Sequence, residues 1–203
     1  MSALSAALAA LNLPAELDET LSHFKTLFLK WNRNINLSGA RTDDDLELHI
    51  IDCLHAVPHL RTAASGAPPP AATRVLDVGA GGGLPSVVAA IACPSIHVTA
   101  LEPVHKKYSF LRTAARELSL ANLMPAAERL DAHAGRDYDA AMSRATFDLR
   151  EWLTLAAGYV RPGGFILGFE AVPRTDLPGS VVRSSYVLSN RTRSIVTLQR
   201  PVS

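Results

Sequence analysis

The chain has 203 residues, a formal net charge of +1 and two cysteines. A chain of this length can bury one large hydrophobic core, which argues against two fully separate domains. Cys53 and Cys93 form no C-x-x-C motif and lie near no metal-spaced histidine pair, so we expect a reducing compartment and no metal. Residues 1–13 lack the basic start of a signal peptide, and no run has membrane-spanning length. We therefore expect a cytoplasmic protein without a membrane partner.

The charge is unevenly distributed along the chain. Residues 1–70 carry more acidic than basic side chains, whereas residues 171–203 carry one acid, Asp176, and five arginines: Arg174, Arg183, Arg191, Arg193 and Arg200. Such a basic end is compatible with a phosphate backbone partner, and an ordinary solvated face explains it equally well.

The first 64 residues have helical patterns. Residues 1–13 predict a short helix, and apolar side chains at helical spacing predict an amphipathic helix over about 15–34. Acids after Thr42 suit a helix N-terminus, and this second long helix is expected to run toward Leu60. The proline-rich segment that follows predicts a linker at 65–72, which separates an N-terminal helical extension, 1–64, from a domain at 73–203.

The segment 75–85 is the most informative part of the sequence. It reads VLDVGAGGGLP: an apolar strand with an acid, Asp77, then alternate glycines, then a helix expected to begin at Leu84 with Pro85 in its first turn. Glycines allow positive φ and close approach of a ligand to the main chain. The loop amides then point at whatever lies above the strand end, where open parallel sheets bind ligands.

The spacing separates two nucleotide classes. A dinucleotide fold needs G-x-G-x-x-G, but the last position is Leu84 counting from Gly79 and Ser86 counting from Gly81, so NAD(P) binding is disfavoured. An acid before the loop and a second acid, Glu102, closing the next apolar run are typical of S-adenosylmethionine enzymes. Asp77 suits the donor's ammonium group, and Glu102 suits its ribose diol.

Strand and helix patterns alternate from Arg74 onward. They predict strands at 74–78, 96–101, 123–127, 138–143 and 164–170 and helices at 84–92, 105–119 and 148–160. Apolar alternation at 181–188 and 194–199, with residues 189–193 between, predicts an antiparallel hairpin. The expected fold is α/β, a Rossmann-like class I S-adenosylmethionine-dependent methyltransferase with a mostly parallel seven-stranded sheet that ends in this hairpin.

Six blocks in order carry a family resemblance. They are residues 31–37 (WNRNINL), 49–54 (HIIDCL), 79–85 (GAGGGLP), 106–112 (KKYSFLR), 139–145 (DAAMSRA) and 162–164 (PGG). With these blocks the chain resembles the bacterial 16S rRNA guanine-N7 methyltransferases, the RsmG or glucose-inhibited division protein B family. The resemblance implies methyl transfer from S-adenosylmethionine to N7 of a guanine in the 530 loop of 16S rRNA, with the rRNA or the small ribosomal subunit as partner.

The same resemblance suggests which residues bind the donor and the acceptor. Arg144 and Arg129 are the candidate catalytic residues. The alternative for Arg144 is a structural ion pair with Asp139 or Asp148, and a structural ion pair explains Arg129 equally well. The candidate cofactor-binding residues are Asp77, Gly79, Ala80, Gly81, Gly83, Leu84, Glu102, Pro103, Leu130, Asp131 and Arg144.

Three positions depart from the family pattern. Glu128–Asp131 replaces a usual Gly-Arg-Ala-Glu-Glu, Glu170 stands where a lysine is common, and Ser86 replaces the glycine usual after Pro85. The charge reversal at Glu170 weakens any substrate contact expected there.

Further residues are candidates for contacts outside the fold. Lys106 and Lys107 lie in the first turn of a predicted helix, where cations are unfavourable, and a solvated pair explains them equally well. Asn36, His49 and Asp52 match family positions, and His49 and Asp52 share one helix face. A structural role is the commoner explanation of such a histidine, and packing over the mouth of the expected cofactor site is the alternative.

Two other functions remain open on the sequence. One is a methyltransferase that acts on a small molecule, and the other is a protein that binds the cofactor or RNA without turnover. We expect a monomer.

Overall fold

The computed structural model describes residues 2–65 and 73–202. Of the predicted linker at 65–72, only Ser65 is among the described residues. The N-terminal part holds four helices: α1 (Ala3–Ala10), α2 (Leu17–Ile35), α3 (Asp43–Leu54) and α4 (Val57–Ser65). The rest holds strands β1 (Thr73–Val78), β2 (Ile96–Leu101), β3 (Leu123–Ala126), β4 (Tyr138–Ser143), β5 (Val160–Glu170), β6 (Val182–Leu188) and β7 (Arg191–Gln199), helices α5 (Ser86–Ala92), α6 (His105–Glu117) and α7 (Leu149–Ala156), and a 3₁₀ turn at Leu130–Ala132.

The seven strands form one sheet in the order β3-β2-β1-β4-β5-β7-β6. Strands β1 to β5 pair in parallel, and β7 pairs antiparallel with both β5 and β6. The predicted fold class is therefore confirmed. The strand order reverses between β1 and β4, and the carboxyl ends at such a reversal form the crevice where open α/β sheets bind ligands.

The N-terminal helices pack on the sheet domain through a shared core. Helix α2 buries Leu21, Phe24 and Phe28, and the Phe28 ring meets that of Phe110 on α6 edge to face, with centroids 5.7 Å apart. Helix α3 begins with a capping box in which Thr42 and Asp45 satisfy each other's main-chain amides. Both sets of elements contribute to one hydrophobic cluster. The division into 1–64 and 73–203 stays a prediction.

Two predicted helix boundaries were wrong. The helix expected from Thr42 to Leu60 is two helices, because Pro58 lacks an amide hydrogen and its ring disfavours a helical carbonyl at Leu54. The helix expected to begin at Leu84 begins at Ser86, since residues 81–85 form turns that keep the glycine loop open.

The strand ends also differ from the prediction. Strand β5 begins at Val160 and not at 164. The hairpin between β6 and β7 turns on Ser189 and Asn190 alone, both at positive φ, so β7 begins at Arg191 and not at 194. Residues 191–193 are polar on both faces at a sheet edge, which concealed the strand pattern.

Candidate functional site

The glycine loop lies at the carboxyl end of β1. Gly79, Gly81 and Gly83 have φ of 73°, 56° and 81°, a region that favours glycine. The amides of Gly79 and Ala80 donate to the carbonyl of Leu101, both at 3.0 Å, which ties the loop to the end of β2. A Cβ at Gly79 would lie 2.3 Å from Oγ1 of a threonine in the loop after β4, so the loop packs without spare room.

Glu102 braces the loop from the end of β2. Its carboxylate accepts hydrogen bonds from the amides of Gly81 and Val104, each at 2.8 Å, and the residue is 4% exposed. Main-chain donors therefore stabilise a buried carboxylate directly beneath the loop.

Asp77 is fully buried below the loop. Its Oδ2 accepts from the Ser86 amide at 3.1 Å, and its Oδ1 has no hydrogen-bond partner in the part of the chain that the structure describes. Burial raises the pKa of the Asp77 carboxyl to about 7, and the nearby Glu102 charge adds to the rise. Asp77 lines neither cavity beside the loop, so the structure places it beneath the loop amides.

Two cavities flank the loop and share Gly79 and Thr146. The first, of about 530 Å³, extends from the loop toward α3, β5 and β6. The second, of about 410 Å³, lies beyond β2 and β3 and is mostly apolar. Its walls include Leu101, Pro103, Arg129, Leu130, Asp131, Phe147 and Tyr159.

These residues fit S-adenosylmethionine. The second cavity is mostly apolar and has Asp131 among its lining residues, which suits an adenine ring with an amino group. Gly79, with Thr146 packed against it, lies where the second cavity meets the first, and the orphaned Oδ1 of Asp77 is buried behind the loop and reaches neither cavity. A ligand that spans both cavities through this junction would place its central atoms against the loop.

Arg144 follows β4 and lines the first cavity. Its Nε donates to Oδ2 of Asp52 at 2.9 Å, and its Nη2 lies 2.8 Å from Nδ1 of His49. The guanidinium carbon is 5.9 Å from the centre of the Phe169 ring. The pairing alternatives Asp139 and Asp148 were wrong, because those acids pair with other arginines, Arg161 and Arg174.

Asp52 links four elements around this cavity. Besides the guanidinium of Arg144 it accepts the hydroxyl of Tyr186 on β6 at 2.7 Å, and Nη1 of Arg193 on β7 lies 3.6 Å from its Oδ1. The carboxylate side chain is 2% exposed. We call His49, Asp52, Arg144, Tyr186 and Arg193 the arginine cluster.

The pKa values in the cluster follow its burial and charges. Burial lowers the pKa of His49, and the positive charge of Arg144 lowers it further. Burial opposes the charge of Arg144, but nearby Cys53 and Asp52 leave its pKa raised. Burial and the Asp52 carboxylate raise the pKa of Tyr186. At neutral pH the cluster therefore carries a neutral imidazole, a neutral phenol and two guanidinium groups around one carboxylate.

The remaining predicted residues lie at the edges. Arg129 has a side chain 76% exposed and pairs with Asp131 at 3.4 Å, at the rim of the second cavity. Leu84 lines the first cavity together with Lys107, whereas Lys106 is exposed and lines neither. Asn36 caps α2 with positive φ.

Glu170 has a structural partner. It is 3% exposed and holds Arg183 through two hydrogen bonds of 2.9 and 3.2 Å, and it accepts the amide of Arg174. Arg174 in turn binds Asp148 and Asp176. Arg193 pairs with Asp52 and Arg200 donates to the Val160 carbonyl, so four of the five C-terminal arginines are engaged within the fold.

Sequence reasoning missed Tyr186, Phe169 and Asn32, and it considered Arg193 only as one of the five C-terminal arginines compatible with a phosphate partner. Asn32 is buried and fixes the loop that lines the first cavity, since it donates to the Ala40 carbonyl at 2.6 Å and accepts the Ser38 amide at 3.1 Å. Asn32 lay within a family block and could have been found there. Tyr186 and Arg193 lie on an alternating hairpin that gives no local signal.

Within the described residues, no helix is long and apolar enough to cross a membrane. The same residues include no group of three or more histidine, cysteine, aspartate or glutamate side chains placed to hold a metal ion.

Solved structures support the fold. The magnesium protoporphyrin IX methyltransferase of Synechocystis PCC 6803, solved with bound SAM, superposes with a TM-score of 0.60 at 14% identity over 87% of this chain and 97% of that one. A putative methyltransferase, yhhF, from Escherichia coli gives a TM-score of 0.55 at 15% identity over 75% of this chain and 86% of the other.

Sequence comparison identifies the family. Residues 17–176 match the family model GidB, described as rRNA small subunit methyltransferase G. The ribosomal RNA small subunit methyltransferase G of Ralstonia nicotianae is 40% identical over 84% of this chain and 78% of its own length, and that of Bordetella avium is 36% identical over 81% and 73%. The chain therefore belongs to the rRNA small subunit methyltransferase G family.

Proposed function

We propose that this protein transfers a methyl group from S-adenosylmethionine to N7 of a guanine in the 530 loop of 16S rRNA. The observation that carries the proposal is a single cavity that has the glycine loop on one wall and the arginine cluster on the other. A donor bound along the loop and an acceptor base held by the cluster would meet inside it. Family membership supports this acceptor class.

The donor side is assigned to residues at the carboxyl edge of the sheet. When bound, S-adenosylmethionine supplies an electrophilic methyl group on a sulfonium. The loop residues Gly79–Leu84 would approach it with main chain, and Glu102 would accept from the ribose diol. Pro103, Leu130 and Asp131 would hold the adenine in the second cavity. Asp77, buried behind the loop, would attract the ammonium group through its charge without touching it.

The acceptor side needs no general base. Purine N7 has a free lone pair, so the protein's task is to align N7 with the methyl carbon and sulfur and to exclude water. Arg144 would donate to guanine O6 or to a phosphate, and not to N7, because a hydrogen bond there would occupy the attacking lone pair. Its Nη1 forms no hydrogen bond within the described residues and so remains available to an acceptor.

Positive charge develops on the purine as the methyl group moves. The carboxylate of Asp52, the acid of the arginine cluster, already accepts hydrogen bonds from Arg144 and Tyr186. It is therefore not free to attract the methylated base.

We assign Arg129, at the exposed rim of the second cavity, to an RNA phosphate. We also propose that the protein acts in the cytoplasm as a monomer.

Labelled-methyl transfer tests the proposal directly. Small ribosomal subunits from a strain that lacks this modification should accept one methyl group each, and digestion with mass analysis should place it on N7 of a guanine in the 530 loop. Subunits from a strain that already carries the modification are the matched control and should accept none. Saturable donor binding with no transfer to subunits, naked rRNA or nucleotides would replace the proposal with a non-catalytic binding protein.

Salt dependence separates the rRNA from a small-molecule acceptor. Affinity for an RNA acceptor falls steeply with added salt. Binding releases counterions from the RNA backbone, and this release becomes less favourable as the salt concentration rises. Affinity for a neutral small molecule barely changes. A flat salt profile with transfer to a small molecule would favour that alternative.

A further inference from the structure

Two contacts fix the guanidinium of Arg144. Nε of Arg144 lies 2.9 Å from Oδ2 of Asp52, and its Nη2 lies 2.8 Å from Nδ1 of His49. The two acceptors are three residues apart on α3. The side chain is 15% exposed. Asp52 and His49 therefore set both the position and the plane of the group, and Nη1 is left for a ligand in the first cavity.

The contact with His49 determines the tautomer of the imidazole. A guanidinium has only donors and does not lose its proton in a protein. The Nδ1 of His49 must therefore accept, so it carries a lone pair and the ring proton resides on Nε2. His49 is a neutral imidazole in this arrangement.

Protonation of His49 would break the arrangement. A proton on Nδ1 would face the N–H of Arg144 across 2.8 Å, which sets two donors and two positive charges against each other. Arg144 would keep Asp52 but lose the second point of attachment, and its plane would no longer be fixed.

We propose that His49, as the neutral tautomer with its proton on Nε2, is a positioning residue that orients Arg144 toward the acceptor base. The proposal rests on the proposed function, because the consequence of misplacing Arg144 is slower methyl transfer. We expect donor binding not to depend on it, since His49 forms no hydrogen bond with the glycine loop or with Glu102.

The surroundings of His49 favour the neutral ring. Asp45 and Asp52 on its own helix face it, as do Arg144 after β4 and Arg193 on β7. Burial is the largest cause that lowers the pKa of His49, and the charges of the two arginines lower it more than the two acids raise it. The pKa of His49 therefore lies below its ordinary value. The arrangement is therefore complete at neutral pH and is lost on acidification.

Single-turnover methyl transfer at saturating donor and small subunits tests the proposal across pH. In the unmodified protein the rate should fall on acidification, at a pH below the ordinary histidine pKa of about 6.5, because the pKa of His49 is lowered. His49→Asn keeps an acceptor near the place of Nδ1 but cannot be protonated, so its rate should stay within about threefold of the parent at pH 8 and lose the acid limb. His49→Leu removes the acceptor and should slow transfer about 10-fold or more with unchanged donor affinity.

His59→Asn is the matched control. His59 is also a half-buried histidine with a pKa lowered by burial, but its Nδ1 lies 3.3 Å from Thr197 and it lines neither cavity. This variant should keep both the parent rate and the acid limb. An acid limb that persists in His49→Asn, or a parent rate in His49→Leu, would overturn the proposal.

Nitrogen-15 NMR of the imidazoles gives an activity-independent result. His49 should show an unprotonated Nδ1 and a protonated Nε2 at neutral pH, and the reverse tautomer or a charged ring would refute the positioning role. If the parent protein transfers no methyl group to small subunits while His49 has the expected tautomer, the proposed function fails and the geometric inference stands.

Discussion

The two walls of the first cavity are built differently. The wall that we assign to the donor, the donor wall, uses main-chain amides and glycines from one continuous segment, 79–84, braced by Glu102. The wall that we assign to the acceptor, the acceptor wall, uses polar and charged side chains from α3, the loop after β4, β6 and β7, with Asp52 and Tyr186 separated by 134 positions. The shape of the donor wall therefore depends on the main-chain conformation of one short segment. The shape of the acceptor wall depends on how several helices, strands and loops pack together.

The walls also differ in electrostatics. Glu102 is stabilised by two main-chain amides, a local one from Val104 and one from Gly81 on the loop after the neighbouring strand β1. Asp52 is buried at 2% exposure and depends on Arg144 and Tyr186 for compensation. Removing one partner of a buried pair commonly costs about 3 to 5 kcal/mol, because a buried charge is left behind. Substitutions in the acceptor wall should therefore affect both transfer and stability.

The largest effect is expected from Arg144→Ala. Loss of a positioned electrostatic donor should slow methyl transfer by about 10²- to 10³-fold, while donor affinity measured by calorimetry changes little. Arg161→Ala removes a comparable arginine–aspartate pair, with Asp139, away from both cavities and is the control. Transfer by Arg144→Ala at the parent rate would remove Arg144 from the acceptor wall.

Gly79→Ala should act on the donor wall. The side chain would occupy a positive-φ position and collide with Thr146 at the junction of the two cavities, so donor affinity should fall about 100-fold. Gly179→Ala, where an added Cβ meets nothing within 4 Å, should leave donor affinity unchanged. Equal affinities for the two variants would mean that the donor does not cross this junction.

Glu102→Ala should weaken donor binding by about 10- to 30-fold, because the ribose loses a charged acceptor and two amides lose theirs. The rate of transfer at saturating donor should change less. Glu117→Ala, an exposed acid that pairs with Arg116, is the control. A Glu102→Ala protein that binds the donor like the parent would contradict the ribose assignment.

An effect on stability, with little consequence for the rate of transfer, is expected from Asp77→Asn in the donor-free protein. Because burial raises the pKa of Asp77 from 3.8 to about 7, the folded state favours the protonated form. Its stabilising contribution is complete below pH 3.8 and is lost as the pH rises to about 7. The asparagine variant should therefore have a higher free energy of unfolding than the parent at pH 8, by at most about 4 kcal/mol. Each kcal/mol should raise the melting temperature by about 2 to 4 °C.

Thermal unfolding at several pH values measures this difference. The gain in melting temperature should shrink as the pH falls from about 7 toward 3.8. A gain that does not vary with pH would mean that Asp77 does not titrate in this range. Weaker donor binding by the same variant would support the action of Asp77 on the ammonium group.

The predictability of the elements followed their burial. Strands β2 and β4 have the predicted ends, because both are central strands that turn abruptly into polar loops. The break at Pro58 and the two-residue turn at Ser189–Asn190 were missed, since each depends on a short local conformation that apolar periodicity does not report.

The candidate site divides in the same way. The glycines, Asp77 and Glu102 could be singled out from the sequence. A main-chain loop at a strand end is formed by adjacent residues, and the second acid follows the next strand. The structural alternative for Arg144 named the wrong partners, Tyr186 was not predicted at all, and Arg193 was considered only as one of five arginines compatible with a phosphate partner. The positions of Tyr186 and Arg193 follow from an antiparallel hairpin that returns beside α3, which no local pattern specifies.

The sequence by itself determined the alternation of strands and helices, the family and the donor loop, because periodicity, glycine spacing and motif blocks are local properties. Only the tertiary structure decided how Arg144 is held, which tautomer His49 adopts and that Glu170 pairs with Arg183. The physical reason is that a buried charge is stabilised by whatever partner the fold brings within about 3 Å, and that partner can come from any part of the chain.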